Sequence, residues 1–210
     1  YEDIDRQYGA IVKLIPWGVN LFCVFEHGLG VVPINEKALM QTTTEQSIHL
    51  YGAGVLQKDI SLISGNFGSI WQDSIVKTDM GVYGVDTYAK KIWRVGASGF
   101  DTISDMNVQR FLNDNILLSE EDVTPTLGLK NVKSHYNAHK GDVMFTFFNH
   151  NENKEWNLCY NERLNKWITR YSWTPICSDN INNCYFSLDK KRAELLSYIH
   201  DLNFGPDRKS

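Results

Sequence analysis

Short apolar segments separated by polar turns recur along this chain, and that recurrence limits the fold more than any other feature. "GVYGVDTYAKKIWRV" (residues 81–95) runs through apolar residues to an Asp, turns over lysines, and returns as a second apolar run containing Trp93. "NCYFSLDKKRAELLSYI" (183–199) repeats that order, and "DVMFTFFNHNENKEWNLCYNERLNKWITRYS" (142–172) is a longer relative. Such short runs, rich in Val, Ile, Tyr, Phe and Trp, suit strands, whereas a helix needs a longer periodic apolar stripe. An Asp at the end of such a run bonds its own turn backbone about two residues on. That local role accounts for Asp86, Asp142 and Asp189 without catalysis. Hairpins start at intervals of about 60, 60 and 40 residues, bracketing the ~40–50 of a four-stranded propeller blade.

The remaining strand signals fit the same scheme. "AIVKLIPWG" (10–18) and "NLFCVFEHGLGVVPIN" (20–35) form a hairpin region in which Glu26-His27-Gly28 supplies a turn. "GSIWQDSIVKTD" (68–79) is expected as one strand after a Gly break, while "QKDISLISGNFG" (57–68) fits either a helical turn or an irregular edge strand. Four successive strands are expected at Lys133–Asn137, Asp142–Phe148, Glu155–Asn161 and Trp167–Trp173, divided by turn-forming "AHKG", "NHNENK" and "ERLNK". "DKKRAE" (189–194) supplies the last turn. One helical insertion is expected near 103–114, with Ser104 or Asp105 as its cap and Met106, Val108, Phe111 and Leu112 on one side. The expected fold is therefore mainly β. Antiparallel hairpins and four-stranded blades build a partial β-propeller-like domain over residues 1–210, with one short helical insertion. The polar ends, "YEDIDRQYGA" and "GPDRKS", suggest a piece of a longer polypeptide.

Composition narrows the function classes. With 42% hydrophobic and 22% charged residues over 210 positions, the chain suits a soluble globular domain with a sizeable core. A net charge of −4 with scattered Lys and Arg gives no basic stripe for nucleic acid. The apolar stretches are too short to span a bilayer, so no membrane segment is expected. The four cysteines, Cys23, Cys159, Cys177 and Cys184, form no CxxC pair. Cys23 and Cys159 fall in strand-like runs and are expected as buried thiols. Cys177 and Cys184 bracket "SDNINN" and are compatible with a loop-closing disulfide, although reduced thiols fit a chain made in a reducing cytoplasm.

No residue set points to catalysis. His135 and His139 are four apart, but in "SHYNAHKGD", a strand running into a turn, that spacing does not align two metal ligands. Glu120, Glu121 and Asp122 form a solvated run in "LLSEEDVTPTLG" rather than a paired-carboxylate site. A GxSxG elbow is absent, and "GAGVLQKD" and "GASGF" lack the strand-to-helix phosphate pattern. "WTPICSDNINN" is expected as a polar loop pinned to the core by Trp173 and Pro175, with an interaction tip as the other reading. No catalytic, cofactor-binding or metal-binding residue is assigned, and no cofactor is expected.

The order of the motifs in "HYNAHKGDVMFTFFNHNENKEWNLCYNERLNKWITRYSWTP" (135–175) resembles propeller-type segments of large tail proteins in short-tailed phages, especially the muzzle and nozzle proteins of crAss-like phages. "GNFGSIWQDSIVKTDMGVYGVDTYAKKIWRV" is similar to the preceding blade of such proteins, and "GLGVVPINEK" to a strand further upstream. The resemblance implies a non-enzymatic virion structural protein, made in the host cytoplasm and placed in the tail. Its partners would be other copies of itself and other tail proteins, with passing contact with genomic DNA as the genome leaves through a ring-shaped conduit. The alternative is a carbohydrate-binding or host-recognition propeller using Trp93, Trp156, Trp167 and Trp173 as stacking surfaces.

Overall fold

A computed structural model describes residues 5–33, 38–41, 48–51, 60–116, 132–149, 154–169, 171–181, 184–189 and 195–199. Two compact units divide the chain, Tyr1–Ile70 and Trp71–Ser210. Five antiparallel sheets form among the described residues, one of four strands in the first unit, two of four and one of three in the second, plus a two-stranded ribbon.

In the first unit β1 (Ile11–Trp17), β2 (Asn20–Phe25) and β3 (Leu29–Pro33) form a meander. The ribbon of β4 (Ala38–Gln41) and β5 (Ile48–Tyr51) follows, and β6 (Ser61–Ser64) then pairs with β3. The ambiguous "QKDISLISGNFG" thus contributes an edge strand, with its first residues outside the described set. Gly18 turns the β1–β2 hairpin at φ 59°, a conformation that costs a Cβ-bearing residue about 1–2 kcal/mol. Cys23, Phe25 and Val32 form one buried cluster with Tyr8, Leu21 and Ile60 against it. Burial of Phe22 and Phe25 contributes about 1.5–3 kcal/mol each.

The second unit stacks three sheets. The first comprises β7 (Val76–Lys77), β8 (Gly81–Asp86), β9 (Lys91–Gly96) and β10 (Gly99–Thr102). The middle sheet comprises β11 (Val132–Asn137), β12 (Asp142–Asn149), β13 (Lys154–Asn161) and β14 (Lys166–Thr169), and the last β15 (Pro175–Ile181), β16 (Cys184–Asp189) and β17 (Leu195–Ile199). Each is a meander in chain order, and β11 lies between β7 and β15, so the first strands of the three sheets sit side by side. The strand register explains the near-continuous apolar run "DVMFTFF". Val143, Phe145 and Phe147 pair with Tyr160, Leu158 and Trp156 on one face, and Met144, Thr146 and Phe148 with Cys159, Asn157 and Glu155 on the other. Both faces are covered, so residues 143–148 are all buried.

Three turns share one construction. In each, an Asx side chain at the strand end accepts a backbone N–H three residues on: Asp86 from Ala89, Asn137 from Lys140 and Asn161 from Leu164. The next residue takes positive φ, at Lys90 (52°), Gly141 (73°) and Asn165 (54°). The expected Asp-to-turn bond therefore exists at Asp86, which accepts from the amide three residues on.

Several expectations are corrected. "GSIWQDSIVKTD" is not one strand: Gln72–Ser74 is a 3-10 turn whose Ser74 hydroxyl donates to Trp71 O at 2.7 Å, and the paired strand is Val76–Lys77 alone. "PICSDNI" is strand β15 rather than a polar loop. Trp173 lies beyond the end of β14. The helix α1 (Gln109–Asn115) starts at Val108 without a side-chain cap. Ser104 instead donates to Gln109 Oε1, and Asp105, in the 3-10 turn Ile103–Asp105, accepts from Thr102 and Lys91. Asp142 is buried and accepts from Asn161 Nδ2 at 2.7 Å and Tyr171 OH at 3.1 Å, distant partners rather than its own turn.

Candidate functional site

The densest chemistry in the second unit lies in the two seams between its sheets. At the seam of the first and middle sheets, Glu162 is 3% exposed although it belongs to the turn after β13. Its Oε2 accepts from Thr78 Oγ1 at 2.6 Å, with Tyr83 OH 3.4 Å away, and its Oε1 accepts from Tyr136 OH at 2.6 Å. Asp79 Oδ2 lies 3.0 Å from the same Tyr136 oxygen. Beside this cluster Arg94 donates to Asn165 Oδ1 at 2.9 Å and to Tyr160 OH at 3.3 Å, while its other terminal nitrogen pairs with Asp101 at 3.0 Å. Trp167 Nε1 reaches across to Ile103 O, and Trp156 stacks on Phe147 at 3.9 Å while Phe111 of α1 meets its edge at 4.7 Å.

The second seam is organised around His135. Its Nε2 is 3.0 Å from Pro175 O, which can only accept, so that nitrogen carries the proton and Nδ1 accepts from Ser178 Oγ at 2.9 Å. Asn180 bonds Ala138 N–H and Tyr136 O, and Met144, Cys159, Trp173 and Tyr185 form a cluster between the sheets. Asn157 Nδ2 donates to Trp173 O, and Asn157 Oδ1 accepts from Tyr171 N–H, fixing the exit from β14.

Burial drives these groups toward their neutral forms. Desolvation, reinforced by the Glu162 charge, raises the Tyr83 phenol, and desolvation with the hydrogen bond to Glu162 raises that of Tyr136. The Tyr171 phenol rises chiefly through burial, and the Cys159 thiol is pushed up to about 12 by burial and then by Asp142. Burial lowers His135 to about 4. A reactive thiol needs the opposite shift. The seams join the sheets by hydrogen bonds that burial strengthens.

The sequence matches the Crassvirus muzzle protein family over residues 1–190. The chain belongs to that family. Among curated proteins, the muzzle protein of Bacteroides phage crAss001 is 23% identical over 206 residues, which cover 97% of this chain and 14% of that protein. The segment thus spans a small part of the length of its muzzle relative, and the resemblance drawn from the motif order holds.

Within this muzzle family member, the residues weighed for chemistry are dispersed. His135 is in the second seam, and His139 lies in the turn after β11. Glu120, Glu121 and Asp122 lie outside the described residues, as do "GAGVLQKD" from residue 52 to 59 and the 190–194 turn. Among the described residues no cluster of three or more His, Cys, Asp or Glu could hold a metal, and no helix is long and apolar enough to cross a membrane. Cys23 and Cys159 are buried thiols, and Cys177 and Cys184 are also free, with Cys177 opposite Leu188 and Cys184 opposite Ile181. The four tryptophans proposed for sugar stacking are occupied internally. Trp93 is fully buried, Trp173 is 9% exposed, and Trp156 and Trp167 are half-buried with aromatic partners. Sequence reasoning missed Glu162 and Tyr136, because "NERLNK" has the composition of a solvated turn and the Tyr partner lies on another strand.

Proposed function

We propose that this segment is a non-enzymatic building block of a phage tail, part of a muzzle subunit whose copies assemble into the conduit through which the genome leaves. Membership of the Crassvirus muzzle family over residues 1–190 carries this reading. The stacked sheets support it. The polar and aromatic side chains of the seams hold sheet on sheet, which suits a wall under mechanical stress. Four-stranded meanders with adjacent first strands are consistent with blades of one β-rich, propeller-like domain over residues 1–210. Closure would require further sheets or further copies. A net charge of −4 suits a wall that DNA must pass without adhering. The partners are other muzzle copies and neighbouring tail proteins.

The test is composition and shape. Mass spectrometry of purified tails is expected to find the polypeptide carrying this segment, and electron microscopy of that polypeptide to show rings. Its absence from virions, or a monomer that turns over a polysaccharide, would overturn the proposal.

A further inference from the structure

The last sheet of the stack has two unlike faces. One carries Ser178, Asn180 and Tyr185 into the seam with the middle sheet. Register places Cys177 with Leu188, Asp179 with Phe186 and Ile181 with Cys184 on the other. Ile181 is 51% exposed, Cys177 and Asp179 are exposed, and Cys184, Phe186 and Leu188 are half-buried. The middle sheet shows what such a face does when covered, since residues 143–148 of β12 are buried on both of its faces.

We infer that this outer face of β15 and β16 is a docking surface for a further antiparallel sheet of the same muzzle polypeptide, supplied from outside this segment. Two observations select that occupant. The face continues a stacking order already made twice within the second unit, first sheet on middle and middle on last. The muzzle relative also has ample further chain, because this segment covers only 14% of it. The incoming sheet would present apolar side chains to Ile181, Phe186 and Leu188, and one hydrogen-bond donor to Asp179. Asp179 Oδ1 already accepts from Asn180 N–H at 2.8 Å, and a donor from the incoming sheet would satisfy the rest of the carboxylate once water is excluded. This inference rests on the stacked-sheet reading and not on the tail role.

Cys177 reports on it directly. In the full-length polypeptide, maleimide labelling of Cys177, read by peptide mass spectrometry, is expected to be slower by about tenfold or more under native conditions than in urea. Equal rates would overturn the proposal. Protection that persists when the polypeptide is diluted to monomers supports a sheet of the same chain. Protection lost on dissociation would assign the cover to a second copy and overturn it. Ile181→Asp in the same polypeptide is expected to lower the melting temperature by about 3 °C or more, and an unchanged value counts against the docking. Rapid labelling in a protein still found in tails would remove the docking surface and leave the tail role standing.

Discussion

Thr78 and Glu162, 84 residues apart in the chain, are joined by a 2.6 Å hydrogen bond buried between two sheets. The same carboxylate accepts from Tyr136, so its removal takes the shortest acceptor from two hydroxyls, leaving Thr78 the longer contact to Gly81 O and Tyr136 only Asp79. Glu162→Ala is expected to cost about 2–3 kcal/mol, with Glu162→Gln intermediate because one acceptor oxygen survives. Urea denaturation checks this: the midpoint should shift while the slope stays constant. Equal, negligible shifts for both variants would remove Glu162 from the seam's energetics.

Gly84 sits beneath the indole of Trp93, its cross-strand partner, and a methyl group there would overlap the ring. Trp93 is itself fully buried and has no room to retreat. Gly84→Ala is expected to destabilise by about 1–3 kcal/mol through overpacking, measurable as a lowered thermal midpoint. A neutral result would mean that the indole repacks.

The shared turn makes opposite predictions at equivalent positions. Gly141 has φ 73°, and a Cβ there would also press on the Arg163 side chain, so Gly141→Ala should cost about 1–2 kcal/mol. Lys90 holds φ 52° without glycine's freedom, so Lys90→Gly should gain up to about 1 kcal/mol. Paired denaturation curves for the two variants test the common geometry.

His135 ties stability to pH. Its pKa is lowered by burial from 6.5 to about 4, so below pH 6.5 the unfolded chain takes up a proton that the folded chain refuses. The stability it supports is complete above pH 6.5 and is lost as pH falls toward 4, by about 2 kcal/mol between pH 6.5 and 5. His135→Gln should flatten that slope in denaturation measured across this window. An unchanged slope would show that other groups govern it.

Cys159 should resist thiol reagents. Its thiol is 1% exposed and its pKa is pushed up to about 12, so thiolate is scarce even at alkaline pH. Under native conditions at pH 8 no alkylation of Cys159 is expected, and unfolding in urea should restore it. Labelling as fast as that of an unfolded peptide would show that the seam opens.

The hairpins at 81–96 and 142–161 were legible because strand runs and turn chemistry are local properties. Asp86, Asn137 and Asn161 announce their turns through side chains that reach only the next few backbone amides. Burial on both faces of "DVMFTFF" emerged only from the strand register, and a strand between two layers takes apolar residues at successive positions. The polar face of β15 misled for the converse reason. Ser178 and Asn180 look solvated in "CSDN", yet they meet His135 and the backbone around 136–138. Ser104 and Asp105 have cap-forming side chains, but Gln109 and Lys91 reach them first.

Sequence alone therefore determined the hairpins whose apolar runs and turn residues are local and, through the order of motifs, the family. Tertiary structure decided which polar groups are buried. Glu162 becomes a seam residue only because Thr78 arrives from another sheet, and desolvation depends on everything within reach in space rather than on neighbours along the chain.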